Sequence, residues 1–190
     1  MDYVIIYAHP GPKSFNRAIL ERVESILRKV KKTFEVRDLY ASKFNPSLAA
    51  SEIYPAGHGK TPQDVEREQR LVREAGGIVF IYPIWWFGMP AILKGYIDRV
   101  FSEGFAYSID GEKLTGLLTG KKAVIINTTG APRELFARTG YEEAMRKATD
   151  SGIIEFCGME IVEHRYLWAV QSIDDAARKR MLDDLENIDF

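Results

Sequence analysis

The most constraining feature of this chain is a regular alternation of short, wholly apolar segments with longer amphipathic ones. Residues 3–8 read YVIIYA, and so uniformly apolar a run is typical of a strand buried on both faces of a sheet. Residues 15–30 follow with apolar side chains at helical spacing. The alternation continues, with strands predicted at residues 34–39, 78–82, 123–127 and 161–168, and helices at 61–74, 90–101, 142–156 and 173–188.

Two of these helices carry recognisable start signals. Thr61 followed by Pro62 predicts a hydroxyl N-cap with proline at the first helical position. Ser172 with Asp175 resembles a capping box at the last helix. Residues 41–60 and 102–120 fit no element, and loops of that length inside a domain are usually functional or mobile.

Five strands that are each followed by a helix predict an α/β fold with three layers. Parallel neighbours need crossover connections, so the helices must cover both faces of a five-stranded parallel sheet. The length of 190 residues suits a single domain over residues 1–190.

Composition excludes several classes of function. The 26 basic and 27 acidic side chains give a net charge of −1, which argues against a nucleic-acid-binding protein and against a strongly acidic electron carrier. Cys157 is the only cysteine, so we expect no disulfide framework. We also expect a cytoplasmic location, because disulfides are rare in that reducing compartment. The chain opens without a signal-peptide pattern, and no apolar run approaches the roughly 20 residues that span a bilayer, so we expect no membrane-embedded segment.

The turn after the first strand is a candidate anion site. In an open parallel sheet, ligands bind beyond the carboxyl ends of the strands. The sequence HPGPKSFN at residues 9–16 places Ser14 and Asn16 at the start of the first helix, where free N–H groups attract anions. Ser14 fits a simple helix N-cap equally well. Neither a Walker motif nor a Gly-x-Gly-x-x-Gly pattern is present.

The loops after the third and fourth strands add aromatic and polar groups. Residues 82–90 read YPIWWFGMP, and three consecutive large rings between prolines cannot all point inward. They indicate either a flat ligand or a subunit interface. Residues 127–132 read NTTGAP and offer hydroxyl and N–H groups. A phosphate site, an aromatic wall and a polar edge after strands one, three and four suit a flavin at the switch point of a sheet with the order 2-1-3-4-5.

Four segments resemble one family. HPGPKSFN, PIWWFGMPAILKGYIDRVFSEGFAY, INTTG and FCGMEIVE are similar to the DT-diaphorase-like NAD(P)H:quinone oxidoreductases, in register from the first strand to the last helix. The resemblance implies a flavodoxin-like fold, a homodimer, and hydride transfer from NAD(P)H through a flavin to quinones or related acceptors. By motif, it implies a flavin phosphate region at His9, Ser14, Phe15 and Asn16, a flavin contact at Gln69, an isoalloxazine lining of Pro83, Ile84, Trp85, Trp86 and Phe87, and a pyrimidine edge at Thr128, Thr129 and Gly130.

The chain departs from this family at a Tyr and His pair thought to stabilise the reduced flavin. Here Phe136 lies near the Tyr position, and Tyr141 or Glu142 lies near the His position. Tyr141 is therefore the candidate catalytic residue. Alternatively, the N–H groups of the loop after the fourth strand are enough to stabilise the reduced flavin. Val170, Arg178 and Leu182 match adenosine contacts of the FAD-dependent members, which favours FAD, with FMN as the alternative.

Other interpretations remain open at this point. Some relatives are ancillary subunits of membrane potassium-efflux systems, and a one-electron carrier would share the fold. His58 is expected on the surface and His164 within a strand as a hydrogen-bonded structural residue, so no metal site is predicted.

Overall fold

The computed structural model describes residues 1–53 and 61–190. Within these residues it has seven strands: β1 (Tyr3–Tyr7), β2 (Phe34–Asp38), β3 (Gly77–Pro83), β4 (Tyr107–Asp110), β5 (Lys113–Gly116), β6 (Lys122–Thr128) and β7 (Glu160–Leu167). Five of them form a parallel sheet in the order β2-β1-β3-β6-β7. Numbered as the predicted strands, this is 2-1-3-4-5, so the predicted fold class is confirmed.

Helices cover both faces of the sheet. They are α1 (Phe15–Lys29), α2 (Gln63–Glu74), α3 (Ala91–Val100), α4 (Arg133–Thr139), α5 (Tyr141–Arg146) and α6 (Asp175–Asp183), with short 3-10 turns at Ala50–Glu52 and Asp184–Asn187 and a π-helix at Lys147–Glu155. No helix in the described ranges is long and apolar enough to cross a membrane.

The apolar alternation places a hydrophobic core on each face. On one face α1 buries side chains such as Ile19 and Val23 against the sheet, with the end of the chain beside it. On the other face α2, α3 and the π-helix pack against β3 and β6. Each fully buried Leu or Ile contributes about 1.5–3 kcal/mol relative to an exposed one. The two hydrophobic cores therefore hold the helices against both faces of the sheet.

Both predicted helix starts are shifted. Pro62 occupies the N-cap position of α2, the helix begins at Gln63, and no side chain among the described residues caps it. Proline has no N–H to lose at this position, and Asp64 and Glu66 in the first turn complement the helix dipole instead. At α6 the cap is Asp174, whose Oδ1 accepts from the N–H of Ala177 at 2.7 Å.

Two other regions also differ from the prediction. The single helix expected over residues 142–156 is α5 followed by the π-helix, after the separate α4. Residues 102–120 contain an antiparallel hairpin, β4 with β5, that turns at Gly111 with φ +60°. Residue 58 lies outside the described residues, and the extent of the domain stays a prediction.

Candidate functional site

The first strand ends in a turn that presents the N-terminus of α1 to the edge of the sheet. Ser14 is the N-cap, and its Oγ accepts from the N–H of Arg17 at 3.2 Å. Ser14 also lines a cavity, together with Lys13 and Phe15. The N-cap interpretation of Ser14 is therefore confirmed, and the anion site stays a prediction that the helix end and the ammonium group of Lys13 favour.

His9 stiffens the same turn. Its Nδ1 accepts a hydrogen bond from the N–H of Gly11 at 2.9 Å, and its ring centroid lies 6.0 Å from that of Trp85. Burial lowers the pKa of His9 below its usual value, so the ring is neutral at neutral pH. Since Nδ1 accepts, Nε2 carries the proton and serves as a donor.

Asn16 joins the first loop to the fourth. Its Nδ2 donates to Thr128 Oγ1 at 2.8 Å, and the residue is 3% exposed. Its Oδ1 is buried and has no hydrogen-bond partner within the part of the chain that the structure describes. A buried amide oxygen without a partner costs about 1–3 kcal/mol, so this cavity wall is built to receive a donor.

The aromatic loop after β3 has a fixed and strained backbone. Trp85 and Gly88 exchange backbone hydrogen bonds at 3.0 and 3.1 Å, and the N–H of Ile84 donates to Thr128 O at 2.8 Å. Trp86 and Phe87 between them adopt φ of +49° and +60°. Left-handed backbone is costly for aromatic residues, and such strain concentrates at functional sites.

The three rings of this loop separate. Trp85 turns toward His9 and lines the cavity. Trp86 projects outward and is 96% exposed. Phe87 stacks on Tyr141 with ring centroids 3.9 Å apart and planes inclined by 22°. The expectation that not all three rings point inward is confirmed.

The loop after β6 is tied to the end of β7. Thr129 Oγ1 donates to Ala131 O at 2.8 Å and accepts from the N–H of Ala169 at 3.2 Å, so its hydroxyl is used within the protein. The Thr129 N–H donates to Leu167 O. The Thr129 carbonyl accepts from the N–H of Val170, so the hydroxyl and the backbone groups of Thr129 all bond within the protein and hold the loop in place.

These loops enclose a cavity of about 670 Å³ at the carboxyl edge of the sheet. It contains eleven of the predicted site residues, namely His9, Ser14, Phe15, Asn16, Pro83, Ile84, Trp85, Thr128, Thr129, Gly130 and Arg178. Segments more than 160 residues apart in the chain thus meet at one site.

Four predicted residues do not line this cavity. Gln69 is buried on α2, where its Nε2 donates to Val100 O at 3.0 Å and Ser102 Oγ at 3.1 Å. Trp86, Phe87 and Tyr141 lie on the outer side of the aromatic loop. Their assignment as flavin contacts or catalytic groups stays a prediction.

Comparisons with known proteins agree with this arrangement. A sequence profile of the flavodoxin-like fold family matches residues 1–188. An NAD(P)H oxidoreductase of Haemophilus influenzae is 38% identical, over 96% of this chain and 91% of the relative. Human ribosyldihydronicotinamide dehydrogenase [quinone] is 34% identical, over 94% and 86%. The solved NAD(P)H:quinone oxidoreductase of Methanothermobacter marburgensis superimposes with a TM-score of 0.90 at 33% identity, over 98% and 96%.

The chain belongs to the NAD(P)H:quinone oxidoreductase family of flavodoxin-like proteins. It is therefore an oxidoreductase, and the resemblance inferred from the four sequence segments is confirmed. In this oxidoreductase, Phe136 is buried and packs against Phe87 and Trp168 at centroid distances of 5.7 and 5.1 Å. Its place near the family's Tyr position stays a prediction from the resemblance.

Sequence reasoning missed three residues that line the oxidoreductase cavity: Lys13, Ala18 and Gln171. Lys13 stands within the first turn but was not singled out. Gln171 follows the end of β7, so the rule that ligand-binding residues follow strand ends could have found it. Its Oε1 lies 3.6 Å from the position of a Cβ built on Gly130.

Proposed function

We propose that this oxidoreductase binds a flavin in the cavity and transfers hydride from NAD(P)H to quinones or related electrophilic acceptors. The observation that carries the proposal is the cavity itself, in which an anion-binding turn, an apolar wall and a polar rim converge. When bound, a flavin supplies the hydride chemistry, and the protein supplies binding, orientation and electrostatics.

The residues present fit such a group. The N-terminus of α1 with Lys13 and Ser14 suits a phosphate. The unpartnered Oδ1 of Asn16 suits a hydroxyl donor such as those of a ribityl chain.

The wall and rim of the cavity suit the ring system. Pro83, Ile84 and Trp85 form an apolar wall whose backbone is held to β6 by the bond from Ile84 to Thr128. A rigid wall keeps water away from one side of a planar ligand and fixes its orientation. Gly130 and Gln171 lie at the rim, where they can contact the polar edge of the ring.

The contacts of Arg178 favour FMN over the FAD that the sequence suggested. Four of its five N–H groups are engaged: Nη1 donates to Val170 O and Ile173 O, and Nε and Nη2 donate to Asp175. Leu182 packs in the core beneath α1 and does not line the cavity. Arg178 therefore shapes the turn before α6, and of the three residues that suggested an adenosine site only Val170 and Arg178 line the cavity.

We further propose that the protein is a cytoplasmic homodimer. Trp86 is 96% exposed, and a second copy would remove this apolar surface from water. The alternative role as an ancillary subunit of a potassium-efflux system gains no support from the relatives above.

The test is direct. Purified protein should be yellow, should release one flavin whose mass identifies FMN or FAD, and should oxidise NAD(P)H only when a quinone such as menadione is added. Colourless protein that does not take up added FMN or FAD would refute the proposal. Flavin binding without quinone-dependent turnover would refute its catalytic part.

A further inference from the structure

A buried polar chain runs behind the apolar wall of the cavity. His164 on β7 is 8% exposed, with Nδ1 2.5 Å from Asp150 Oδ1 and Nε2 2.7 Å from Asn127 Oδ1. Asn127 on β6 is fully buried, and its Nδ2 faces Tyr82 O on β3 at 3.4 Å. None of these residues lines the cavity, and the proposed function does not use them.

Both ring nitrogens of His164 have a buried polar partner. Asp150 Oδ1 lies on the Nδ1 side and Asn127 Oδ1 on the Nε2 side, so the ring joins the π-helix to β6. The Nδ2 of Asn127 faces the carbonyl of Tyr82, so the same amide extends the hydrogen bonds to β3.

Arg146 and Tyr166 complete the surroundings of His164. Arg146 at the end of α5 lies with Nη1 3.6 Å from Asp150 Oδ2, and its Nη2 donates to His164 O at 3.2 Å. Arg146 thus ties Asp150 to the backbone of β7. From β7 itself, Tyr166 stacks on the imidazole at 4.5 Å and contributes no charge, since burial raises the pKa of its hydroxyl far above neutrality.

These hydrogen bonds lie next to the cavity wall. Asn127 directly precedes Thr128, and Tyr82 directly precedes Pro83. The hydrogen bonds of Asn127 to His164 and to Tyr82 therefore join β7, β6 and β3 where β6 and β3 reach the cavity. The π-helix widens the backbone at Asp150. Such rare widened turns are frequent at functional sites.

We propose that His164, held by Asp150, is a positioning residue that fixes the loops of the cavity through Asn127. The inference rests on the proposed function for its effect on flavin binding, but not for its effect on the loops. Removal of the imidazole leaves the buried Asn127 Oδ1 without the partner that holds the amide against β3. We therefore expect its loss to loosen the ends of β3 and β6.

The first experiment needs no flavin. Amide hydrogen exchange of the apoprotein is compared between the wild type and His164→Gln. The amides of Ile84 and Thr129 should exchange about tenfold faster in His164→Gln, while those of Gly77 and Lys122, at the opposite ends of the strands, should not change.

The second experiment measures flavin affinity by fluorescence quenching. We expect about tenfold weaker binding in His164→Gln than in the wild type. Asp150→Asn, which removes the charge but leaves the ring, should weaken binding in the same direction, and it substitutes for His164→Gln if that variant does not fold. Asp98→Asn, an exposed carboxylate paired with Lys94 on α3, is the matched control and should bind as the wild type does.

The outcomes separate the two proposals. Exchange that rises equally at both ends of the strands, or that does not rise at all, overturns the positioning role. The same holds if His164→Gln binds flavin with the affinity of the wild type. Failure of the wild type to bind flavin overturns the proposed function instead, and the exchange results still decide the role of His164.

Discussion

Asn16 serves both the fold and the proposed ligand site. Its Nδ2 donates to Thr128 Oγ1, and its buried Oδ1 has no hydrogen-bond partner among the described residues. We predict that Asn16→Ala binds flavin about tenfold more weakly, because a hydrogen bond of roughly 0.5–1.5 kcal/mol to the ligand is lost and Thr128 is released. Fluorescence titration measures this, with the exposed Asn187→Ala as control. Unchanged affinity in Asn16→Ala would place the ligand elsewhere.

Cys157 illustrates a residue whose chemistry is suppressed by packing. It is 3% exposed, and burial raises the pKa of its thiol to about 11, so only roughly one molecule in ten thousand carries the reactive thiolate at neutral pH. We predict no measurable reaction with a thiol reagent in the native protein and stoichiometric reaction after unfolding in guanidinium. Rapid labelling of the native protein would contradict this burial.

At the scale of elements, the close approach of the segment before α2 to α3 depends on one glycine. A Cβ on Gly95 would lie 2.1 Å from Pro46 O. Alanine is the better helix former by about 1 kcal/mol, yet overpacking against backbone should dominate and lower the free energy of unfolding of Gly95→Ala by about 2 kcal/mol. Urea denaturation tests this against Gly152→Ala, where the nearest atom is 3.4 Å away. Equal midpoints for the two variants would show that the segment yields.

Whether an element could be predicted depended on how much of its pattern is local. β1 and β3 are apolar at almost every position because both faces are buried, and this is visible in sequence. The π-helix could not be predicted, because its widening depends on contacts with β7, such as that from Asp150 to His164. The hairpin of β4 and β5 was missed as well, since its strands are short and largely exposed.

At the scale of the whole molecule, sequence reasoning brought the right loops together but not every residue in them. Parallel topology alone places the ends of β1, β3 and β6 side by side, so His9, Trp85 and Thr129 could be assigned to one site. Parallel topology does not predict the left-handed backbone at residues 86 and 87, and so it does not predict the direction of their rings. Nor could it place Gln69, which reaches the interior from α2.

The exposed ring of Trp86 makes the oligomeric state a testable property of the whole molecule. A tryptophan that is 96% exposed on a rigid loop loses little conformational entropy when a second copy covers it, which is the character of an interface hot spot. We therefore predict that the wild type has twice the mass of the 21.6 kDa chain in light scattering, and that Trp86→Ala raises the dimer dissociation constant at least about tenfold. Ile109→Ala, at a residue 53% exposed on the hairpin, is the control and should not shift it. A Trp86→Ala protein that dimerises as the wild type does would show that another face forms the dimer, and would leave the ring free to contact the acceptor.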